Sequence, residues 1–172
     1  MYEPQVYLIL KVSVLSKSDT AKVVELIRSS WPAAAVPHVK NFKSFEVDSE
    51  RQLLSADDFL GVIISGKTVV PCLGQSETLD IFPSVIVDMG AIKFVCNGAK
   101  ILRPGIVEFG SFKKGNIVTV RDQQHRKALA VGIALEDSEI AKSMEKGYIV
   151  DNIHYVSDKV WELAKQVKTM HP

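Results

Sequence analysis

Residues 87–106 read Val-Asp-Met-Gly-Ala-Ile-Lys-Phe-Val-Cys-Asn-Gly-Ala-Lys-Ile-Leu-Arg-Pro-Gly-Ile, and they decide the fold of the second half of the chain. Gly90 allows the chain to turn from a strand into a short helix, and the small Ala91 lets another backbone approach. Gly98 fits the left-handed cap of that helix, and Pro104 with Gly105 marks a second sharp turn. Basic residues follow these turns closely, at Lys93, Lys100 and Arg103. These cations and the amino end of the helix could surround one concave, anion-binding surface. From the residues alone, structural glycines with unrelated surface lysines are the favoured interpretation.

The segments on either side of this stretch predict a small mixed β-barrel. Short apolar segments bounded by turn residues are typical of strands, and capping residues mark short helices between them. The strands are predicted at residues 84–88, 99–102, 116–121, 128–135 and 148–156, and the helices at 90–97 and 138–146. Asp137 is expected to cap the second short helix, and Ser157 to cap a final helix that carries Trp161. Many short strands with few short helices favour a barrel.

The first half of the chain predicts a small α/β unit. Its elements are a strand at 6–15, a helix from Ser16–Ser18 to Pro32, a strand at 42–47, a hairpin at 59–73 turning at Ser65-Gly66, and a helical turn at 76–82. A unit of about 75 residues is near the lower limit for an independent core. We therefore expect it to pack against the second half.

Composition indicates an ordinary folded protein with one locally basic region. Of the 172 residues, 47% are hydrophobic and 24% are charged, and the net charge is only +1. Residues 93–127 nevertheless hold eight basic residues against Glu108 and Asp122, which gives +6 for this segment and −5 for the remainder. Such asymmetry fits a phosphate-binding face, although a solvated surface with uneven charge gives the same pattern.

Cysteine usage and hydropathy narrow the class of protein. Cys72 and Cys96 have no paired spacing, which excludes a disulfide framework and a cysteine-rich zinc site. No apolar run approaches the roughly 18 residues that span a membrane, and the start of the chain lacks a basic targeting region. Free thiols suit a reducing compartment. We expect a soluble, cytoplasmic protein.

One motif suggests nucleotide binding, but its context argues against that function. Residues 61–68, Gly-Val-Ile-Ile-Ser-Gly-Lys-Thr, satisfy the phosphate-loop pattern. The β-branched residues within the motif favour a strand, and Pro71 soon after it disfavours the helix that phosphate binding requires. No histidines have metal-ligand spacing, and no nucleophile motif occurs. We predict no enzyme activity, no catalytic residue, no metal site and no cofactor. The alternative hypothesis, a small nucleotide-binding enzyme, is supported by this motif alone.

The stretch quoted first resembles the signature of the PUA domain, which has V-D-x-G-A, then G-A, then P-G. Two further segments make the resemblance specific to one family of PUA proteins. They are residues 129–133, Leu-Ala-Val-Gly-Ile, and residues 147–161, Gly-Tyr-Ile-Val-Asp-Asn-Ile-His-Tyr-Val-Ser-Asp-Lys-Val-Trp. Together they resemble the malignant T-cell amplified sequence family, in the form of an archaeal-type stand-alone homologue. The specific likeness covers residues 82–161, and the first half fits the family more weakly.

This resemblance implies an α+β protein that binds RNA. The implied parts are a small N-terminal α/β domain at 1–77, a PUA pseudo-barrel at 78–160, and a C-terminal helix and tail at 161–172. In pseudouridine synthases and archaeosine transglycosylases, PUA domains hold RNA for a separate catalytic domain, and residues 1–77 resemble no such domain. RNA contacts are expected first at Gly90, Ala91, Lys93, Gly98, Lys100, Arg103, Pro104 and Gly105, and second at His154 and Tyr155.

The resemblance also implies a place in translation. The expected RNA is tRNA or rRNA, in initiation, recycling or RNA maturation. The expected partners are the small ribosomal subunit and a density-regulated-type protein, with no membrane. Lys113, Lys114, Arg126 and Lys127 are expected to extend the basic footprint. The alternative is a protein-interaction module that docks a translation factor through residues 1–77 and has little RNA affinity.

Overall fold

The computed structural model describes residues 11–170, and its first half is built on a five-stranded antiparallel sheet. The strands are β1 Val12–Val14, β2 Lys43–Glu46, β3 Arg51–Ala56, β4 Phe59–Ile64 and β5 Thr68–Pro71. They follow one another across the sheet in chain order. The strand expected at 6–15 is confirmed at β1, and residues 6–10 lie outside the described residues. Sequence reasoning did not predict β3.

The hairpin predicted at 59–73 is confirmed as β4 and β5. Ser65 and Gly66 form its turn with φ values of 50° and 66°. Two central residues with positive φ are typical of the turns that match the twist of a hairpin. The phosphate-loop pattern at 61–68 therefore lies in a hairpin, and the strand β5, rather than a helix, follows Lys67.

The helix α1, Lys17–Ser30, begins and ends where its capping residues predict. The Ser16 hydroxyl accepts a hydrogen bond from the Asp19 N–H at 3.0 Å, and Pro32 follows the last turn. Ile27 is fully buried against the sheet, and the Trp31 indole N–H donates to the Val69 carbonyl at 2.8 Å. One face of α1 thus covers the first sheet.

The second half forms a six-stranded mixed sheet, as expected for an α+β protein with a barrel-like domain. Its strands are β6 Ser84–Val87, β7 Ile101–Leu102, β8 Ile106–Phe109, β9 Ile117–Asp122, β10 Ala128–Ala134 and β11 Tyr148–Tyr155. They lie in the order β7-β11-β10-β9-β6-β8, and β6 and β9 are the parallel pair. All the predicted strands are confirmed, whereas β8 was not predicted.

The remaining helices are short, apart from the last. They are α2 Ser76–Leu79, α3 Ile92–Val95, α4 Ser138–Ser143 and α5 Lys159–Met170. The expected end of α4 at residue 146 was wrong by three residues. Asp137 stands at the start of α4, but its carboxylate accepts the Lys114 N–H at 2.8 Å instead of capping the helix.

The predicted cap of α5 was also wrong. Asp158, not Ser157, accepts the Trp161 N–H at 2.7 Å. Ser157 has a φ of 76°, which places it in the turn before the helix. A carboxylate at this position also interacts favourably with the positive end of the helix dipole.

The two halves share one apolar core. Val160, Leu163 and Val167 of α5 pack in the same cluster as Ile27 and Leu53 of the first half. Ile117 and Val131 of the second sheet belong to it too, and a second, smaller cluster fills the barrel. The expectation that the first half packs against the second is confirmed, while the boundaries at residues 77 and 160 remain predictions.

Candidate nucleic-acid interface

A cavity of about 340 Å³ lies where β6 leads into α3 and where β7 leads into β8. Its lining consists of Asp88, Gly90, Ala91, Phe94, Val95, Ala99, Lys100, Ile101, Leu102, Pro104 and Gly105. Five of the ten expected contact residues therefore lie together at one site, namely Gly90, Ala91, Lys100, Pro104 and Gly105. Most of the other lining groups are apolar, which sequence reasoning did not foresee.

Two turns are joined at the base of this cavity. The Asp88 N–H donates to the Gly105 carbonyl at 2.9 Å, and the Asp88 carboxylate accepts the Ala91 N–H at 3.0 Å. A Cβ at Gly105 would lie 3.4 Å from the Cβ of Ala91. That is an ordinary van der Waals distance, so the two turns meet at these small residues.

A third turn is held from the opposite side by β11. Gly98 has a φ of 88°, and a Cβ there would lie 3.0–3.1 Å from the Tyr155 ring. The Asn152 side-chain amide donates to the carbonyls of Val95 and Ala99 at 3.0 and 3.1 Å. Asn152 therefore fixes the end of α3 and one wall of the cavity. It was missed because nothing in the local sequence connects it to residues more than 50 positions earlier.

Exposed aromatic and basic groups form the rim. Phe94 is 58% exposed and Tyr148 is 56% exposed. The Lys93 ammonium lies 5.1 Å from the centroid of the Phe94 ring, and the Lys100 ammonium lies 5.6 Å from that of Tyr148. Leu102 is paired with Tyr148 across β7 and β11 and is also exposed. An apolar cavity beside aromatic faces and exposed cations suits an unstacked base with its phosphate.

Arg103 is expected to contact RNA, but its guanidinium is already engaged within the protein. It donates to the carbonyls of Ala141, Ile106 and Lys142 at 2.8, 3.2 and 3.3 Å. It also lies 4.9 Å from the centroid of the Phe109 ring. These contacts join α4 to the turn after β7, so they favour a structural role for Arg103.

His154 does not fit its expected place among the RNA contacts, because its side chain is fully buried. Its Nε2 accepts the Leu73 N–H at 3.1 Å, and its Nδ1 lies 2.9 Å from an Asp158 carboxylate oxygen. The ring thus connects the first half of the chain to the second. Tyr155 is partly exposed and contributes through its contact with Gly98.

The same network brings a thiol, an imidazole and a carboxylate into line. The Cys72 sulfur lies 3.7 Å from His154 Nε2. Burial raises the pKa of Cys72 to about 12, and the nearby negative charge of Asp158 acts in the same direction. A nucleophilic cysteine needs a lowered pKa and access to substrate. This buried group has neither, so the arrangement favours a structural role.

Asp158 is the centre of this network. Burial raises its pKa, but hydrogen bonds from His154 and from the N–H groups of Trp161 and Tyr155 outweigh that effect and hold the pKa below its ordinary value. Arg51 of β3 adds an ion pair at 3.3 Å. A single carboxylate thus caps α5, orients His154 and binds the first sheet.

The basic segment 93–127 does not form one continuous face. Lys113 and Lys114 precede β9, whereas Arg126 and Lys127 follow it. A strand of the six residues of β9 separates its ends by about 20 Å. The expectation that all four extend one footprint does not fit this separation.

Other classes of site find no support in residues 11–170. No helix in this range is long and apolar enough to cross a bilayer. Nor do its histidine, cysteine and acidic side chains gather in threes at a position that would hold a metal ion. His171 lies outside the described residues.

Comparison with known proteins agrees with this architecture. Residues 83–156 match the model of the PUA domain. A hypothetical protein from Pyrococcus horikoshii has a similar structure, with a TM-score of 0.74 and 26% identity over 89% of this chain and 99% of its own. That neighbour covers both sheets, so the similarity extends beyond the PUA domain.

Curated relatives match between about half and three quarters of this chain. An uncharacterised protein of Methanocaldococcus jannaschii is 46% identical over 45% of this chain and 48% of its own. Malignant T-cell-amplified sequence 2 of Homo sapiens is 37% identical over 48% of each chain. Translation machinery-associated protein 20 of Saccharomyces cerevisiae is 29% identical over 75% of this chain and 76% of its own.

Except for the yeast protein, the match spans about half the length of these relatives. The PUA model falls on the same segment as the cavity and the signature residues. Residues 83–156 are therefore a PUA domain, and the chain resembles the malignant T-cell-amplified sequence and translation machinery-associated proteins.

Proposed function

We propose that this chain binds structured RNA, either tRNA or rRNA, during translation, and that the cavity beside α3 receives an unpaired nucleotide of that RNA. The observation that carries the proposal is the apolar cavity of about 340 Å³, which has the exposed Phe94 at its edge and Lys93 and Lys100 beside aromatic rings. Proteins recognise single-stranded RNA by stacking unpaired bases on aromatic side chains and by binding the adjoining phosphates.

The contact residues that we propose differ from those predicted from the sequence. Gly90, Ala91, Lys93, Lys100, Pro104 and Gly105 are kept, and Phe94, Leu102 and Tyr148 are added. Gly98, Arg103 and Tyr155 are proposed to support the turns around the cavity without contacting RNA. His154 is proposed to stabilise the core. No residue is proposed to act as a catalyst, and no cofactor is proposed.

The names of the relatives support a role in translation. The yeast relative is named as associated with the translation machinery. We therefore propose the small ribosomal subunit and a density-regulated-type protein as partners, and the cytoplasm as the place of action. RNA maturation is the other setting in which a PUA domain would serve the same binding function.

The proposal is tested by titrating the protein into labelled tRNA with and without its unpaired 3′ end, at two salt concentrations. Micromolar or tighter binding that requires the 3′ end and weakens with salt is expected. If about four phosphates are neutralised, log K should fall with log salt with a slope of about −3. Equal binding to both RNAs would contradict recognition of an unpaired end, and no binding at low salt would contradict RNA binding itself.

A protein-interaction module remains the second candidate because of one observation on β1. Within residues 11–170, β1 pairs with β2 alone, and Val12 and Val14 on it are 50% and 67% exposed. An edge strand with exposed apolar side chains can pair with another chain. Loss of partner binding in Val12→Lys/Val14→Lys, with wild-type RNA affinity, would favour this reading.

A further inference from the structure

We propose that residues 123–127, the loop between β9 and β10, form a second RNA contact that binds the backbone of a base-paired stem. This inference rests on the proposed function, because the stem would carry the unpaired nucleotide that enters the cavity. In this proposal the cavity binds the unpaired nucleotide, and the loop binds the stem of the same RNA.

The sheet places this loop next to the cavity. The strands β6 and β9 run parallel, and Val87 is opposite Asp122 in their register. After Val87 the chain continues into Asp88, which lines the cavity, and after Asp122 it continues into the loop. Neighbouring strands lie ~4.8 Å apart. The cavity and the loop therefore follow the carboxyl ends of two neighbouring strands, β6 and β9, on the same side of the sheet.

The loop is held in one conformation by a buried carboxylate. Asp122 accepts the N–H of His125 at 2.6 Å and the N–H of Lys127 at 2.9 Å, and its own N–H donates to the Lys127 carbonyl. Arg126 has a φ of 57° within this turn. A loop that is already ordered loses little conformational freedom when a ligand binds.

The exposed groups of the loop suit a phosphate backbone better than bases. Gln123, Gln124, His125 and Lys127 are all exposed, and the imidazole of His125 is the one aromatic ring among these four side chains. No hydrogen bond or ion pair engages the Lys127 side chain within the described residues. Cations and amides of this kind bind phosphates and 2′-hydroxyls, which are the groups that an A-form stem presents.

Arg126 provides a group that can exchange partners. Its guanidinium donates to both carboxylate oxygens of Glu108 at 2.9 and 2.7 Å, and both side chains are more than half exposed. Exposed ion pairs contribute little net stability, and a guanidinium binds a phosphate with the same two-point geometry. Glu108 lies on β8, across β6 from Arg121, so the pair spans the strand that leads into the cavity. Arg126 would leave Glu108 for a phosphate of the stem.

The chain offers a matched control at the other end of β9. Lys113 and Lys114 are also exposed and basic, but they precede β9 and so lie about 20 Å from the loop. A general attraction between positive charge and RNA would involve these two lysines as much as the loop. A contact confined to the loop would not involve them.

The test compares two labelled RNAs, a hairpin with an unpaired 3′ tail and the same tail alone. A slope of about 0.9 per neutralised phosphate corresponds to about five-fold in affinity for each contact at 0.15 M salt. Arg126→Gln/Lys127→Gln should therefore weaken binding of the tailed hairpin by about 25-fold and leave binding of the tail unchanged. Lys127→Gln alone should lose about five-fold, and Lys113→Gln/Lys114→Gln should leave both affinities unchanged.

Glu108→Gln frees Arg126 and raises the net charge by one, so the comparison of the two RNAs separates a local exchange from a general gain in attraction. Tighter binding of the tailed hairpin by this variant, and not of the tail, is expected. Equal losses for both RNAs, or equal losses in the Lys113→Gln/Lys114→Gln control, would overturn the stem contact. Failure of the wild-type protein to bind either RNA would instead overturn the proposed function.

Discussion

Removing the Phe94 ring should weaken RNA binding without weakening the fold. Phe94 lines the cavity, is 58% exposed, and belongs to neither apolar core. Stacking of one base on an aromatic ring contributes about 1–3 kcal/mol to binding. Phe94→Ala should therefore reduce the affinity for RNA with an unpaired end by about 5- to 150-fold. Its free energy of unfolding should change by less than about 0.5 kcal/mol, as for other exposed positions.

Fluorescence anisotropy with a tailed hairpin measures the affinity, and urea denaturation measures the stability. Ile81→Ala is the control, since Ile81 is also exposed and apolar but does not line the cavity. Phe94→Leu should recover little affinity, because an aliphatic side chain lacks an aromatic face. Wild-type affinity in Phe94→Ala would refute the stacking argument, and a large loss of stability would show that the ring belongs to the fold.

Other residues carry predictions about stability and reactivity. Arg103→Lys should lower the free energy of unfolding by about 1–3 kcal/mol in urea denaturation, because three carbonyls lose their guanidinium partner; unchanged stability with reduced RNA affinity would return Arg103 to the interface. Asp158 has a lowered pKa, so its contribution is present above its ordinary value of 3.8 and is lost as the pH falls below it. Asp158→Asn should therefore be less stable by about 2–3 kcal/mol at pH 7 and should lose less stability than wild type in denaturation series from pH 5 to pH 2. In the native protein Cys96 should react with a thiol reagent well before Cys72, which is buried with a pKa of about 12; equal rates would contradict the buried network. Gly132→Ala should destabilise by about 2–3 kcal/mol or prevent folding, because its Cβ would collide with the backbone of the neighbouring strand; a wild-type melting temperature would exclude this close approach of the two strands.

Local signals in the sequence predicted the shape of the site. Gly98, with its positive φ, and Pro104 mark backbone turns that few other residues favour, so these two turns follow from residue type alone. Apart from β8, the strand-and-helix order of the second half follows in the same way. The resemblance then supplied the fold, since short turn motifs occur in many folds.

The misses arise from contacts between residues distant in sequence. The polar groups of Arg103 and His154 were assigned to RNA, although carbonyls and a carboxylate elsewhere in the chain engage them. Asn152 was missed for the same reason. The strand β3 was not predicted for a different, local reason. Leu53 and Leu54 in β3 are adjacent and both buried, so the alternation of apolar and polar residues that marks a half-exposed strand is absent there.

The charge pattern was informative in sum but not in detail. Arg121 pairs at 2.8 Å with Asp80, which lies outside residues 93–127, so part of the +6 of that segment is neutralised in the folded protein. Arg126 pairs with Glu108, whose charge the +6 already includes. Which cations lie beside the cavity depends on the position of each one relative to the sheet. That position cannot be read from the sequence.

The central claim is that the cavity beside α3 receives an unpaired nucleotide, and chemical-shift mapping tests it most directly. The ¹⁵N-labelled protein would be titrated with a short RNA that mimics an unpaired 3′ end. The account predicts that the largest amide shifts fall on residues 88–105 and on Tyr148, with little change in β1. Shifts concentrated in β1 and β2, with residues 88–105 unmoved, would contradict it.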